Sequence, residues 1–351
     1  MRADVLPLLR CPVCAAGDLA ISVFRPGESG EVGEGVVWCR ACRRWFPVED
    51  GLLDLLVGDL AYEEDRQRFA ATWSGRLAGL GLAAAEPPSG ESPQRLQSVQ
   101  QGHFDWYARN DTQSYRQYEE MPFWRAADRI AFTPWREEVR PGARLLDVGC
   151  AQGRSTFKLL DLDLDVVAFD VSKLLVRQAI ERRRRNGCRA RVTFLAADGA
   201  RFPFVDDAFD HVLVYGVLHH LPDPGEACRE VARVLRGGGT YFGSENNRTA
   251  LRALFDVVQK WCPLWHEEAG PDPLIGKREL ERWFAGSGVE ITTRSSVFLP
   301  PHLINAFSAE SGYRLLAFFD RVGRALGPLG RHGGLILVHG VKGELRSSEG
   351  G

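Results

Sequence analysis

Leu145-Leu-Asp-Val-Gly-Cys-Ala-Gln-Gly153 is the stretch that decides how this chain folds. A short apolar run ends in an acid, and glycines at 149 and 153 then let the backbone turn into a helix expected over 154–160. A second apolar run closes on a single acid, Asp170, placed 23 positions after Asp147. From residue 141 onward, strand and helix signals alternate. Strands are expected at 144–148, 165–169, 192–196, 209–214, 239–244, 289–297 and 335–341, and helices most clearly at 154–160, 172–185, 225–235 and 277–285. Such alternation predicts a Rossmann-like α/β fold, a doubly wound parallel sheet of seven strands. Ligands of these sheets lie at the strands' carboxyl ends, against helix N-termini.

Two kinds of nucleotide cofactor suit that crevice. A dinucleotide wants donors for its pyrophosphate and a Gly-x-Gly-x-x-Gly turn, yet this chain has Ala151 and Arg154 where glycines would fall. S-adenosylmethionine (SAM) has no phosphate, carries a cationic sulfur, and suits a shorter turn preceded by an acid. Asp147, Asp170 and Asp198 favour a cation over a polyanion. Gly149, Ala151 and Gly153 allow close approach to the backbone. Asp170 can accept both ribose hydroxyls, and Asp198-Gly199 can bond an adenine edge. Tyr215 closes the fourth strand, where the reactive end of the cofactor is expected. The candidate cofactor contacts are therefore Asp147, Gly149, Cys150, Ala151, Gly153, Asp170, Val171, Asp198, Gly199 and Tyr215.

Residues 143–245 resemble the class I SAM-dependent methyltransferases, particularly the ubiquinone/menaquinone-type and natural-product group. The resemblance rests on the opening stretch, Ala168-Phe-Asp-Val-Ser172, Ala197-Asp-Gly199 and Phe202-Pro-Phe-Val-Asp-Asp-Ala-Phe-Asp210. It continues through Val217-Leu-His-His-Leu-Pro-Asp-Pro224 and Val234-Leu-Arg-Gly-Gly-Gly239. It implies that Gly149, Gly153, Asp170, Asp198 and Gly199 bind SAM. Ala151 departs from the family's glycine, which bears on affinity rather than identity.

The N-terminus is a different unit. Cys11-Pro-Val-Cys14 and Cys39-Arg-Ala-Cys42, separated by 24 residues, have the spacing of a zinc ribbon. Four thiolates leave no open position, so the Zn2+ is expected to be structural. With Trp38, Trp45-Phe46-Pro-Val48 and Gly51-Leu-Leu53, the segment resembles the Trm112-like zinc domain. Domains are expected at 1–58 (ribbon), 59–140 (helical linker and cap) and 141–345 (methyltransferase). Residues 59–85 look helical, 86–93 form a Pro/Gly/Ser-rich linker, and an aromatic set spans Phe104, Trp106, Tyr107, Tyr115, Tyr118, Phe123 and Trp124. That set is either a lid over an apolar acceptor or packing for the helical cap. Cys150, Cys188, Cys228 and Cys262 are scattered singly, as small buried thiols are.

Methyl transfer needs a base only when the acceptor must lose a proton. His219 and His220 follow the fourth strand and are the catalytic candidates, set against a purely structural role for the pair. His103, His266 and His302 lie in variable segments and read as surface histidines. Glu245 and Asn246 end the fifth strand, facing either the acceptor or solvent.

A net charge of −2, with 44% hydrophobic and 26% charged residues, gives no basic field for nucleic acid. Residues 1–50 hold six Lys/Arg against seven Asp/Glu. The run Arg182-Arg-Arg-Arg185 ends a helix, where cations complement the dipole. No stretch approaches the roughly 18 apolar residues of a membrane span, and no signal peptide is evident, so the expected compartment is the cytoplasm. The expected function is methylation of a small-molecule acceptor at oxygen or nitrogen. The alternatives are an RNA base methyltransferase and a non-catalytic SAM-fold partner.

Overall fold

The computed structural model describes residues 1–82, 95–110, 119–186, 190–249, 257–258, 261 and 273–344. The expected linker at 86–93, Tyr115, Tyr118, Cys188, Cys262 and His266 lie outside the described residues. The chain divides into two compact units, one of Met1–Asp105 with Arg144–Ala208, the other of Trp106–Ala143 with Phe209–Gly351.

The first unit carries seven strands: β1 (Leu19–Pro26), β2 (Val32–Cys39), β3 (Trp45–Glu49), β4 (Leu52–Asp54), β5 (Arg144–Val148), β6 (Asp165–Asp170) and β7 (Arg191–Ala196). Their order is β1-β2-β3-β4-β7-β6-β5. β5, β6 and β7 run parallel, and each is buried past its first residue. Burial on both faces explains why they read as continuous apolar runs rather than alternating ones. The N-terminal strands pair antiparallel, and β4 then joins β7 in parallel, with Leu53 opposite Leu195 and Asp54 opposite Ala196. The N-terminal strands therefore extend the parallel sheet of β5, β6 and β7.

Helices α1 (Glu63–Thr72) and α2 (Ser74–Gly79) close the ribbon's other face, breaking at Trp73 where one helix was expected. Phe69, Leu77 and Leu82 pack on Val36 and Trp45. Helix α3 (Arg95–Asn110) begins in this unit.

The second unit holds α4 (Pro122–Glu138) and strands β8 (Phe209–Tyr215), β9 (Leu235–Asn246), β10 (Val289–Ser296) and β11 (Leu335–Lys342). β8 and β9 are parallel, whereas β11 runs antiparallel to both β9 and β10. The seven strands expected of the methyltransferase portion are β5 to β11, and the expectation of a parallel sheet is corrected to a mixed one. Eleven strands are named, four of them from the ribbon, and the pairing is mixed. Helix α5 (Lys173–Asn186) follows β6 in the first unit. In the second, α6 (Pro224–Val234) starts at Asp223, whose side chain accepts from Glu226 N at 3.0 Å, with Pro224 in the first turn. α7 (Lys277–Phe284) precedes β10. α8 (Pro301–Ile304) and α9 (Ala309–Ala325) pack with α4 through Phe123, Ile304 and Leu316, and Trp124 lies against that core. This part of the aromatic set is packing.

The helix expected over 154–160 is instead a turn followed by a short 3-10 segment, Thr156–Lys158. Gly153 at φ 88° interrupts regular winding, and the Thr156 hydroxyl is drawn onto Asp147 rather than left to solvent. No described helix is long and apolar enough to cross a membrane.

Candidate active site

The turn after β5 has three left-handed residues in five: Gly149 (φ 68°), Ala151 (φ 47°) and Gly153 (φ 88°). At Gly153 a Cβ would stand 2.4 Å from the Phe157 ring, so no side chain fits there. Ala151 adopts a conformation that costs a non-glycine residue about 1–2 kcal/mol. Asp170 holds it: its Oδ2 accepts from Ala151 N at 2.9 Å and its Oδ1 from Ser172 N at 2.9 Å. The amides of Gly149 and Cys150 both donate to Phe169 O, at 2.9 and 3.0 Å. Asp170 thus pins two loops and keeps further lone pairs for a ligand. Burial pushes its carboxyl up to about 6, against the backbone donors that lower it.

Asp147 is fully buried. Its Oδ2 accepts from Thr156 Oγ1 at 2.5 Å, while Oδ1 has no partner. Burial pushes this carboxyl up to about 7. Burial also raises the Cys150 thiol far above its ordinary range, which makes it inert. Val171 offers its carbonyl to Gln101 Nε2 at 3.1 Å. Asp198 Oδ1 accepts from Ala200 N at 2.8 Å and from Gln97 Nε2, and Gly199 sits in that turn. The expected cofactor contacts other than Tyr215 all lie in the first unit.

In the second unit, Tyr215 OH donates to Asp128 Oδ1 at 2.6 Å. His219 Nδ1 lies 2.6 Å from Glu245 Oε2. Glu245 Oε1 accepts from the amides of Val217 (3.1 Å) and Leu218 (2.8 Å), so strand β9 fixes the His219 loop. The two histidine rings sit 3.9 Å apart. Glu245 therefore turns inward, with 2% of its surface exposed, rather than into solvent. Sequence reasoning missed Asp128, Gln97, Gln101 and Asp105. For the last three a signal was present, since they recur every four residues along α3.

At the N-terminus the Sγ atoms of Cys11, Cys14, Cys39 and Cys42 lie within 4.8 Å of one another. Cys11 and Cys42 approach to 3.6 Å, and Cys14 and Cys39 to 3.5 Å. Four sulfurs about 2.3 Å from a tetrahedral zinc stand about 3.8 Å apart, so the cluster fits that ion. The arginine run is largely committed. Arg183 pairs with Glu31 at 2.8 Å, Arg184 donates to Asp50 O at 2.9 Å, and Arg182 covers the Phe157 ring at 4.4 Å. These contacts bind the end of α5 to the ribbon and its own unit, not to a polyanion.

The family model described as a methyltransferase domain matches residues 146–243. The ubiquinone biosynthesis O-methyltransferase of Rhizobium etli is 30% identical over 172 residues, which is 47% of this chain and 68% of that protein. The chain belongs to the SAM-dependent methyltransferases. A second model, of Trm112p-like proteins, matches residues 2–51, the segment that carries the four cysteines. The 27-O-demethylrifamycin SV methyltransferase of Amycolatopsis mediterranei is 37% identical over 102 residues, 29% of this chain and 38% of that protein. The ubiquinone biosynthesis O-methyltransferase of Sinorhizobium medicae is 29% identical over 182 residues, 50% of this chain and 72% of that protein. The chain thus spans between about two fifths and three quarters of the length of these methyltransferases.

Proposed function

We propose that this chain transfers a methyl group from SAM to a hydroxyl oxygen of a small-molecule acceptor, with a structural zinc in its ribbon. The observation that carries this reading is the Glu245–His219 pair. A hydroxyl must lose its proton as the methyl arrives. With Nδ1–H donated to Glu245, His219 carries its ring lone pair on Nε2, the tautomer a general base requires. The relatives named as O-methyltransferases support an oxygen acceptor.

When bound, SAM supplies an electrophilic methyl on a positively charged sulfur. Asp170, already oriented by two amides, has lone pairs left for the ribose hydroxyls. Asp198 and Gly199 take the adenine edge. Gly149, Cys150, Ala151, Gly153 and Val171 give backbone close enough to seat the rest. The unpaired Oδ1 of Asp147 adds negative field suited to a cation. Most of the acceleration comes from positioning donor and acceptor, and His219 removes the proton, with the His220 ring tilted against it. The domain limits consistent with these roles are 1–58, 59–140 and 141–345.

Incubation of the full chain with methyl-labelled SAM and a metabolite pool should label a hydroxyl-bearing product. Asp170→Ala should abolish both labelling and SAM binding. Undiminished SAM affinity in that variant would overturn the donor-site assignment. Cys39→Ser should lower the metal content from about one zinc per chain to near zero, and retention of a full equivalent would refute the ribbon.

A further inference from the structure

A buried polar stripe runs along α3. Gln97, Gln101 and Asp105 are four residues apart, which places them on one helix face, and they are 3%, 9% and 6% exposed. Each is tied to a loop on the cofactor side of the first unit. Asp105 accepts from Ser172 Oγ at 2.6 Å and from Tyr62 OH at 2.8 Å. Gln101 Nε2 donates to Leu60 O at 2.9 Å and Val171 O at 3.1 Å. These two have an evident structural use. Gln97 is different: its Nε2 donates to Asp198, but its Oε1 is buried without a partner. Exchanging the amide's oxygen and nitrogen is no remedy, because it would set a carbonyl against a carboxylate.

We infer that Gln97 is a specificity-determining residue for the methyl donor, reading the 6-amino group of its adenine through Oε1. This rests on the donor-site reading above. The exocyclic amine carries two N–H donors, and Asp198 with Gln97 Oε1 offers two adjacent acceptors. A base with a 6-keto group would set an acceptor against both and be rejected. A buried acceptor unpaired in the free protein gains its partner on binding, so the contact favours the bound state. The hydrogen bond from Nε2 to Asp198 orients both acceptors, and α3 carries the reading residue to a strand-end loop 101 positions away in sequence.

The test is calorimetric titration of the full chain with S-adenosylhomocysteine and with its analogue bearing hydrogen in place of the 6-amino group. Gln97→Leu should weaken S-adenosylhomocysteine about tenfold, the scale of one hydrogen bond, and leave the analogue within about twofold. Equal weakening of both ligands assigns Gln97 a merely structural role and overturns the inference, as does no weakening of either. Should Gln97→Leu not fold, the unmodified protein still decides. Adding one methyl to the 6-amino group removes one donor and should cost about tenfold, and unchanged affinity overturns the inference. If the unmodified protein binds none of these ligands, the donor-site reading itself has failed, an outcome distinct from the others.

Discussion

Two buried carboxylates at the ends of strands, one in each unit, are treated in opposite ways. Glu245 has both oxygens engaged, by two backbone amides and a histidine ring. Asp147 has one oxygen on Thr156 and the other on nothing. The first is built as a finished fixture that sets a neighbouring ring. The second is an unfinished one, strained by burial and suited to the arrival of positive charge. Completeness of hydrogen bonding thus separates a residue that orients from one that waits.

The comparison breaks most easily at His219. Its replacement by Ala should lower kcat about 10²–10³-fold with little change in SAM affinity, the scale of a general base, whereas Glu245→Gln should lower kcat less and shift the pH profile. A His219→Ala enzyme within twofold of the unmodified rate, measured by labelled-methyl transfer, would reduce the pair to a structural feature.

Asp147 supplies the next effect. Its carboxyl titrates near 7 in the fold because of burial, against about 3.9 unfolded. Between those values the native state binds more protons than the unfolded one, so stability falls as pH rises. The contribution is fully present below about pH 4 and lost by about pH 7, amounting to about 2–4 kcal/mol. Denaturant midpoints across pH 4–8 should show this decline, and Asp147→Asn should lessen it, leaving the part that Asp170 supplies below about pH 6. An equally steep decline in both proteins would place the titration elsewhere. A cation at the same place favours the ionised form, so SAM should gain on its neutral product S-adenosylhomocysteine as pH rises from 5.5 to 8.

The smallest effect is expected at Ala151. Its left-handed backbone makes Ala151→Gly stabilising by about 0.5–1 kcal/mol, the relief of strain less the entropy glycine loses. A lower melting temperature would show that the methyl packs usefully.

Strands β5, β6 and β7 were legible because parallel strands buried on both faces leave unbroken apolar runs. The cysteine cluster was legible because two Cys-x-x-Cys pairs carry their own spacing, and their four thiols converge. The turn at 154–160 was not, since its course depends on Thr156 reaching Asp147, a tertiary choice that overrides helical propensity. Nor was the union of β4 with β7, because Leu52–Asp54 is too short to show periodicity. Glu245 and His219 stand 26 residues apart with no spacing rule to join them. The arginine run signals only a helix end, yet its partners Glu31 and Asp50 belong to a segment 152 and 134 positions earlier. Long-range polar pairing leaves no local trace.

The parallel seat of β4 on β7 carries a consequence for the life of the protein. An exposed sheet margin is a template on which stray chains can grow, and here the segment that carries the four clustered cysteines occupies that margin. With the proposed zinc in that cluster, its loss would do more than loosen a small appendage: it would uncover a sticky flank and turn metal starvation into aggregation.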